Sequence, residues 1–214
     1  MIKYLSYLYP MTRKVTSKYS DTLEITWHNG KKHLNTKNAN YSYGSLQAIL
    51  KFGLEKIELK NMNSILLLGL GGGSVIETLR QDFNYQKQIT AIDIDPVIID
   101  IAKTEYQLES NSNTTIICED ALKFIKDNTS KFDLIIIDLF IDIKVPQQFL
   151  ELSFWEDVVK SKSTNGVILF NASLEDKKSN KLKSVIEFLK TKVYKVDVYN
   201  KVNDTNTVII SQSL

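Results

Sequence analysis

Apolar positions along the chain change their period near residue 45. Before it, Leu23, Ile25 and Trp27 alternate with polar residues, and a second short run, Lys32–Thr36, follows His28-Asn29-Gly30-Lys31. An Asn-Gly pair between two such runs predicts a tight hairpin, because both positions tolerate positive φ. Residues 1–44 are expected to form a small antiparallel β-hairpin unit. Beyond it, Leu46, Ile49, Leu50, Leu54 and Ile57 recur at helical spacing and predict a helix over Ser45–Leu59. Ser64–Leu68 is an unbroken apolar run, as a strand buried on both faces requires. A glycine turn and a helix from Ser74 to about Asp82 follow. Strands at Thr90–Asp93, Thr114–Cys118, Phe132–Ile137 and Val167–Asn171 then alternate with helices opening at Pro96, over Ala121–Asn128 and near Leu152–Lys160. After a helix at about Asn180–Lys192, strands Tyr194–Tyr199 and Thr207–Ser211 have no helix between them, so they must pair antiparallel.

The alternation predicts an α/β domain over residues 45–214, with a mostly parallel, doubly wound, seven-stranded sheet ending in an antiparallel strand pair. That layout is Rossmann-like and of the class I methyltransferase type; ordinary dinucleotide-binding domains do not normally end this way.

Composition narrows the chemistry. The 214 residues carry 27 basic and 25 acidic side chains, for a net charge of +2. The basic residues are almost all lysine, without a dense run, so specific nucleic-acid binding is not expected. One cysteine and two histidines, His28 and His33, exclude a disulfide framework and leave no metal site to expect. No apolar run reaches the length of a membrane span, and the first residues lack the pattern of a signal peptide. The expectation is a cytoplasmic protein with no membrane contact.

Candidate site residues cluster where strands end. Gly69-Leu70-Gly71-Gly72-Gly73-Ser74 joins a buried strand to a helix, and a turn without Cβ atoms lets backbone amides approach a ligand. The competing explanation is a turn needed only for packing. Asp93 ends the next strand, where a carboxylate can accept both ribose hydroxyls; the alternative is a helix-start acid, a role that suits Asp95 better. Asp120, before Ala121, is placed to meet an adenine edge or to cap the helix that follows. Asp138 ends the fourth strand beside the switch point, where ligands bind in open α/β sheets. Cys118 is expected to pack in the core, and His28 and His33 to lie on the surface. Tyr41 and Tyr43 either line a pocket mouth or pack on the sheet.

Ile65–Leu79, Ile92-Asp93-Ile94-Asp95-Pro96, Cys118-Glu119-Asp120-Ala121 and Asp133–Asp138 stand in the order and spacing of the spermidine synthase family. The chain resembles the methyltransferase-like branch of that polyamine aminopropyltransferase-like family. Val145-Pro146, Phe149-Leu150 and Phe154 look like that branch's loop after the fourth strand. The resemblance implies a site for S-adenosylmethionine or decarboxylated S-adenosylmethionine. Asp93 would hold the ribose and Asp120-Ala121 the adenine; Gly69, Gly71 and Gly73 would shape the region around sulfur. Asp138 would face a small-molecule acceptor and take or orient its proton. The same resemblance admits a homodimer.

Departures from the family pattern shape the expected activity. Aminopropyltransferases of this family place an aspartate where Gly72 stands, and a second acid where Ile141 stands, with Asp142 one residue late. Leu67 occupies the position of an acid in many methyl-donor sites. The expected activity is methyl transfer by direct displacement at the sulfonium. Aminopropyl transfer, a non-catalytic nucleoside-binding relative and an NAD-dependent oxidoreductase using Gly69, Gly71 and Asp93 are the alternatives. Ser74, where a third glycine or alanine would stand, speaks against the last.

Overall fold

The computed structural model describes residues 2–36, 40–42, 44–108, 110–173, 180–192 and 194–213. A short helix, α1 (Ile2–Leu5), precedes a four-stranded antiparallel sheet of β1 (Met11–Ser17), β2 (Asp21–His28), β3 (Lys31–Asn35) and β4 (Asn40–Ser42) in sequential order. The hairpin expected at Asn29-Gly30 joins β2 to β3, with φ of 49° and 74° at its two loop residues. Two further strands extend that hairpin into the four-stranded sheet.

The remaining elements are α2 (Ser45–Leu54), β5 (Ser64–Leu68), α3 (Ser74–Gln81), β6 (Gln88–Asp93), α4 (Pro96–Tyr106), β7 (Thr114–Cys118) and α5 (Ala121–Asp127). They continue with β8 (Phe132–Ile137), α6 (Leu152–Ser161), β9 (Lys162–Ser173), α7 (Asn180–Thr191), β10 (Tyr194–Val202) and β11 (Asn206–Ser213). The second sheet runs β10-β11-β9-β8-β5-β6-β7. Strands β5 to β9 pair in parallel, and β11 lies antiparallel between β9 and β10. The final strand pair is therefore antiparallel, with the last strand inserted inside the sheet rather than added at its edge.

Period-two geometry explains the apolar runs. In β5, Ile65 and Leu67 join the core on one face while Leu66 and Leu68 join the other. Leu134 and Ile136 of β8 separate from Ile135 and Ile137 in the same way. Helices α2, α3 and α4 cover the first face, and α5, α6 and α7 the second. Trp155 of α6 is fully buried; its indole N–H donates to the Phe149 carbonyl at 2.9 Å, and its ring meets Phe170 edge-on at 5.1 Å.

Helix α4 is shared between the two sheets. Ile99 and Ala102 face the large sheet, while Ile98 and Ile101 bury Leu23, Ile25 and Leu34 of the small one. Lys32 and Arg13 of the small sheet both pair with Glu105 near the end of α4, at 2.9 and 2.6 Å. The N-terminal strands are thereby held against the helix that starts right after Asp93 and Asp95.

Three expectations need correction. Helix α2 ends at Leu54, because the amides of Lys56 and Ile57 turn back to Gly53 and Leu54 in a tighter, three-residue winding; a separate turn of 3-10 helix follows at Leu59–Asn61. Ile57 still reaches the core from that turn. Strand β9 begins at Lys162, five residues earlier than the apolar run alone indicates. Cys118 is exposed rather than packed inside, because β7 is the outermost strand of the sheet.

Candidate functional site

A cavity of about 350 Å³ opens at the carboxyl edge of the large sheet. Its wall collects Gly69 and Gly71 after β5, Asp93 at the end of β6, Asp120-Ala121 after β7 and Asp138 after β8. Parallel strands all end on this side, so residues far apart in sequence converge where the connections leave the sheet. Of the seven residues assigned to the site by the resemblance, Gly73 is the one not among those lining the cavity; Gly72, Ser74 and Cys118 do not line it either.

The glycine turn has two structural duties. Gly69 adopts φ +94°, and a Cβ there would sit 2.1 Å from the Asp138 carbonyl oxygen. The close approach of β5 and β8 thus requires glycine at 69, whatever the cavity holds. Gly73 adopts φ +87° and caps α3, with Leu108 packed where a side chain would go. Packing accounts for these two glycines; Gly71, with φ +53°, lines the cavity.

Asp93 organises that turn. One carboxylate oxygen accepts from the amides of Leu70 and Gly71 at 3.1 and 3.2 Å, and the other from the Asp95 amide at 2.9 Å. Burial pushes its pKa up to about 6, against the opposing pull of those amides. A carboxylate offers about four acceptor positions, so Asp93 arrives at the cavity with most of its capacity engaged by the protein. Its neighbour Asp95 is nearly inaccessible. It caps α4 through the Val97 amide at 2.9 Å and accepts hydroxyl bonds from Ser17 and from Ser20, the latter at 2.8 Å. Those serines belong to the β1–β2 corner, so the small sheet is clamped to the cavity floor, and Tyr19 and Ser20 line the cavity.

Asp120 caps α5 as expected, accepting from the Leu122 amide at 2.8 Å, and it also lines the cavity. Asp138 is pushed up to about 6 by burial, raised further by the charge of Asp93 and lowered by a hydrogen bond from Asn171 at 2.8 Å. Asp142, one residue after the position where an acid was missed, also lines the cavity. Its φ of +55° sits in a tight turn closed by Ile141 and Lys144, and its carboxylate accepts from Thr36 at 3.1 Å.

The wall is acidic and apolar. Five aspartates line it, at 93, 95, 120, 138 and 142, together with Ile92, Phe140, Pro146 and Phe149; no lysine or arginine is among the lining residues described. Among the described residues no cluster of His, Cys, Asp or Glu is placed to hold a metal. His28 is exposed and His33 half-buried in the small sheet, and neither lines the cavity. Tyr43 and the side chain of Tyr41 lie outside the described residues. No described helix is long and apolar enough to cross a membrane.

Several functional contacts escaped the sequence. Asn171 of β9 donates to Asp138 and Asn206 of β11 donates to Asn171, and nothing in a strand asparagine signals which group it will meet. The Ser17 and Ser20 hydroxyls on Asp95 have no signal in the sequence. Asp142 was visible as an acid out of register; only the left-handed backbone beneath it returns it to the cavity.

A family model described as "Spermine/spermidine synthase domain" matches residues 46–208. A polyamine aminopropyltransferase of Sulfurisphaera tokodaii is 37% identical over 120 residues, covering 52% of this chain and 39% of that protein. The eEF1A lysine and N-terminal methyltransferase homolog of Drosophila melanogaster is 25% identical over 123 residues, covering 52% of this chain and 18% of its own length. The chain thus spans well under half of the curated relatives it matches. Among solved structures, human methyltransferase-like protein 13 in complex with SAH superposes with a TM-score of 0.65 at 23% identity, covering 80% of this chain and 83% of that one. A spermidine synthase in complex with the transition state analogue AdoDATO gives 0.64 at 16% identity, with 94% and 74% covered. These likenesses establish the class I methyltransferase fold.

Proposed function

We propose that this chain, which belongs to the spermine/spermidine synthase domain family, is a transferase that binds S-adenosylmethionine or its decarboxylated form in the cavity and catalyses methyl transfer to a small-molecule acceptor. The observation that carries the reading is the acidic, lysine-free wall, with Asp93, Asp120 and Asp138 following the parallel strands β6, β7 and β8 on the two sides of β5. A sulfonium is a cation, and burial has left two of these carboxylates reluctant to ionise alone. A dinucleotide fits the same wall poorly. Its pyrophosphate needs free backbone amides or cations, and the amides of Leu70 and Gly71 are already donated to Asp93.

The residues present suit an adenosyl group. Asp93 keeps acceptor capacity for a ribose hydroxyl, Asp120-Ala121 borders the adenine edge, and Ile92, Pro146 and Phe149 supply apolar surface for the base. When bound, the group supplies an electron-poor carbon beside the sulfonium. Asp138 faces the acceptor and holds or takes its proton, which needs the carboxylate form and a pKa near the working pH. Alignment of donor and acceptor in a cavity that excludes water supplies most of the remaining rate.

Glycine at 72 favours the full methionine form, because an aspartate there would repel the carboxylate that only the full form carries. Calorimetric titration with both ligands tests this: S-adenosylmethionine is expected to bind at least about 10-fold more tightly, or ~1.4 kcal/mol. Tighter binding of the decarboxylated form overturns methyl transfer. Aminopropyl transfer remains the second reading, and the observation that favours it is Asp142, whose carboxylate lines the cavity beside Asp138 and supplies a second acid for a cationic acceptor.

A further inference from the structure

Asp138 stands at the end of a buried amide chain. The Asn206 side chain donates its amide N–H to the Asn171 oxygen at 2.8 Å, and the Asn171 amide N–H donates to an Asp138 oxygen at 2.8 Å. Asn171 is fully buried in β9, and Asn206 is 9% exposed at the start of β11, where it lines the cavity. The two strands are neighbours, with Asn206 opposite Ser173 and Val208 opposite Asn171.

An asparagine amide has an oxygen that only accepts and a nitrogen that only donates, and the two ends look alike in shape. An ionised Asp138 only accepts, so the Asn171 nitrogen, and with it a hydrogen, is aimed at the carboxylate. The Asn171 oxygen then faces Asn206, whose side-chain N–H holds the amide in that orientation. With a donor fixed on one oxygen, the carboxylate cannot rotate freely, and its other oxygen is left for the acceptor. If Asn171 were inverted, its oxygen would face the carboxylate, and two acceptors would repel one another in a buried setting.

We propose that Asn206 and Asn171 are positioning residues that act in series: Asn206 fixes the orientation of the Asn171 amide, and Asn171 fixes the rotamer and the ionised form of Asp138. Because Asn206 lines the cavity, whatever fills that side of the cavity is coupled to Asp138 through two hydrogen bonds. The proposal rests on the reading of Asp138 as the acceptor-facing carboxylate for its functional meaning, and on geometry alone for its structural part. The charged group nearest Asp138 in effect is Asp93 from β6, which raises its pKa; Asp95, Asp120, Asp142 and the Tyr19 phenol are the other titratable groups on the described cavity wall.

The test needs no acceptor. Carbon-13 NMR of the side-chain carboxyl follows Asp138 through pH in the full chain, and nitrogen-15 spectra follow the two asparagine amides. In the wild type, both amides are expected to shift with the same midpoint as Asp138. Asn206→Ala, two hydrogen bonds removed from the carboxylate, releases the Asn171 amide and is expected to raise the Asp138 midpoint by about 1 pH unit, as the Asn171 hydrogen bond to the charged carboxylate is weakened. Asn206→Ser keeps a donor and is expected to return the midpoint most of the way to the wild-type value. It also keeps the test alive if the alanine variant folds poorly. An Asp138 midpoint unmoved in Asn206→Ala, or moved equally in both variants, overturns the relay. Calorimetry with methylthioadenosine on the same variants separates this from the broader reading: loss of all adenosyl binding in the wild type would sink the proposed function while leaving the NMR result to decide the relay.

Discussion

Gly69→Ala is expected to lower stability by about 2–5 kcal/mol, a large share of the roughly 5–15 kcal/mol that holds a typical domain folded. Two penalties combine at this position. An alanine at φ +94° is strained by ~1–2 kcal/mol. Its methyl would also lie 2.1 Å from the Asp138 carbonyl oxygen, a backbone atom that cannot swing away, and overpacking of that kind costs ~1–3 kcal/mol. The obstacle is the neighbouring strand, since Asp138 also donates its amide to the Leu68 carbonyl at 2.9 Å. Urea denaturation read by circular dichroism measures the loss. A midpoint close to the wild type would mean that β5 and β8 can separate at their ends, and the rigid placement of Asp138 would fall with it. For a chain of this length each kcal/mol corresponds to roughly 2–4 °C in Tm, so thermal melts give an independent reading of about 4–20 °C.

Asp93→Asn should separate binding from folding in the opposite sense. The amide is nearly isosteric, but it replaces an acceptor oxygen by a donor, and that nitrogen must oppose at least one of the Leu70, Gly71 or Asp95 amides. Losing charged hydrogen bonds to both the turn and a ribose predicts about 100-fold weaker methylthioadenosine binding, or ~3 kcal/mol. Global stability should change far less, because the variant also removes a carboxylate that burial disfavours. The sign of the pH dependence follows from the same cause. A carboxyl whose folded pKa is raised from 3.8 to about 6 contributes stability in the acid range, and that contribution is lost as pH rises through about 6. Binding runs the other way in the wild type. Affinity is expected to fall as pH drops through about 6, when Asp93 and Asp138 take up protons, and the Asp93→Asn variant should lose the share of that dependence due to Asp93. Equal affinity in variant and wild type at neutral pH would remove Asp93 from the site.

Much of the fold was legible because parallel sheets leave a blunt signature. Runs such as Ser64–Leu68 and Phe132–Ile137 are apolar at every position, since alternate residues feed cores on opposite faces. The Asn29-Gly30 hairpin was legible for a different reason, the positive φ that few residue types accept. Boundaries were harder. Nothing in the polar start of β9, Lys162 to Asn165, distinguishes a strand from a loop until Phe132 and its neighbours are in place to pair with it. Cys118 was misplaced because strand order, not local pattern, makes β7 an edge.

The site divides along the same line. Residues at strand ends, Asp93, Asp120 and Asp138, were found because topology alone sends them to one edge. Contacts made sideways across the sheet or between sheets were not, and these give the site its particular chemistry: the Asn206–Asn171 chain onto Asp138, and the Ser17 and Ser20 hydroxyls on Asp95. Asp93 shows a further limit. Its position was readable, but the hydrogen bonds it accepts from the Leu70 and Gly71 amides were not.

The measurement that tests the central claim most directly is calorimetric titration of the wild-type chain with S-adenosylmethionine, methylthioadenosine and NAD in parallel at neutral pH. The account predicts saturable one-to-one binding of the two adenosyl–sulfur ligands and none of NAD. Binding of NAD alone, or of none of the three, would contradict it.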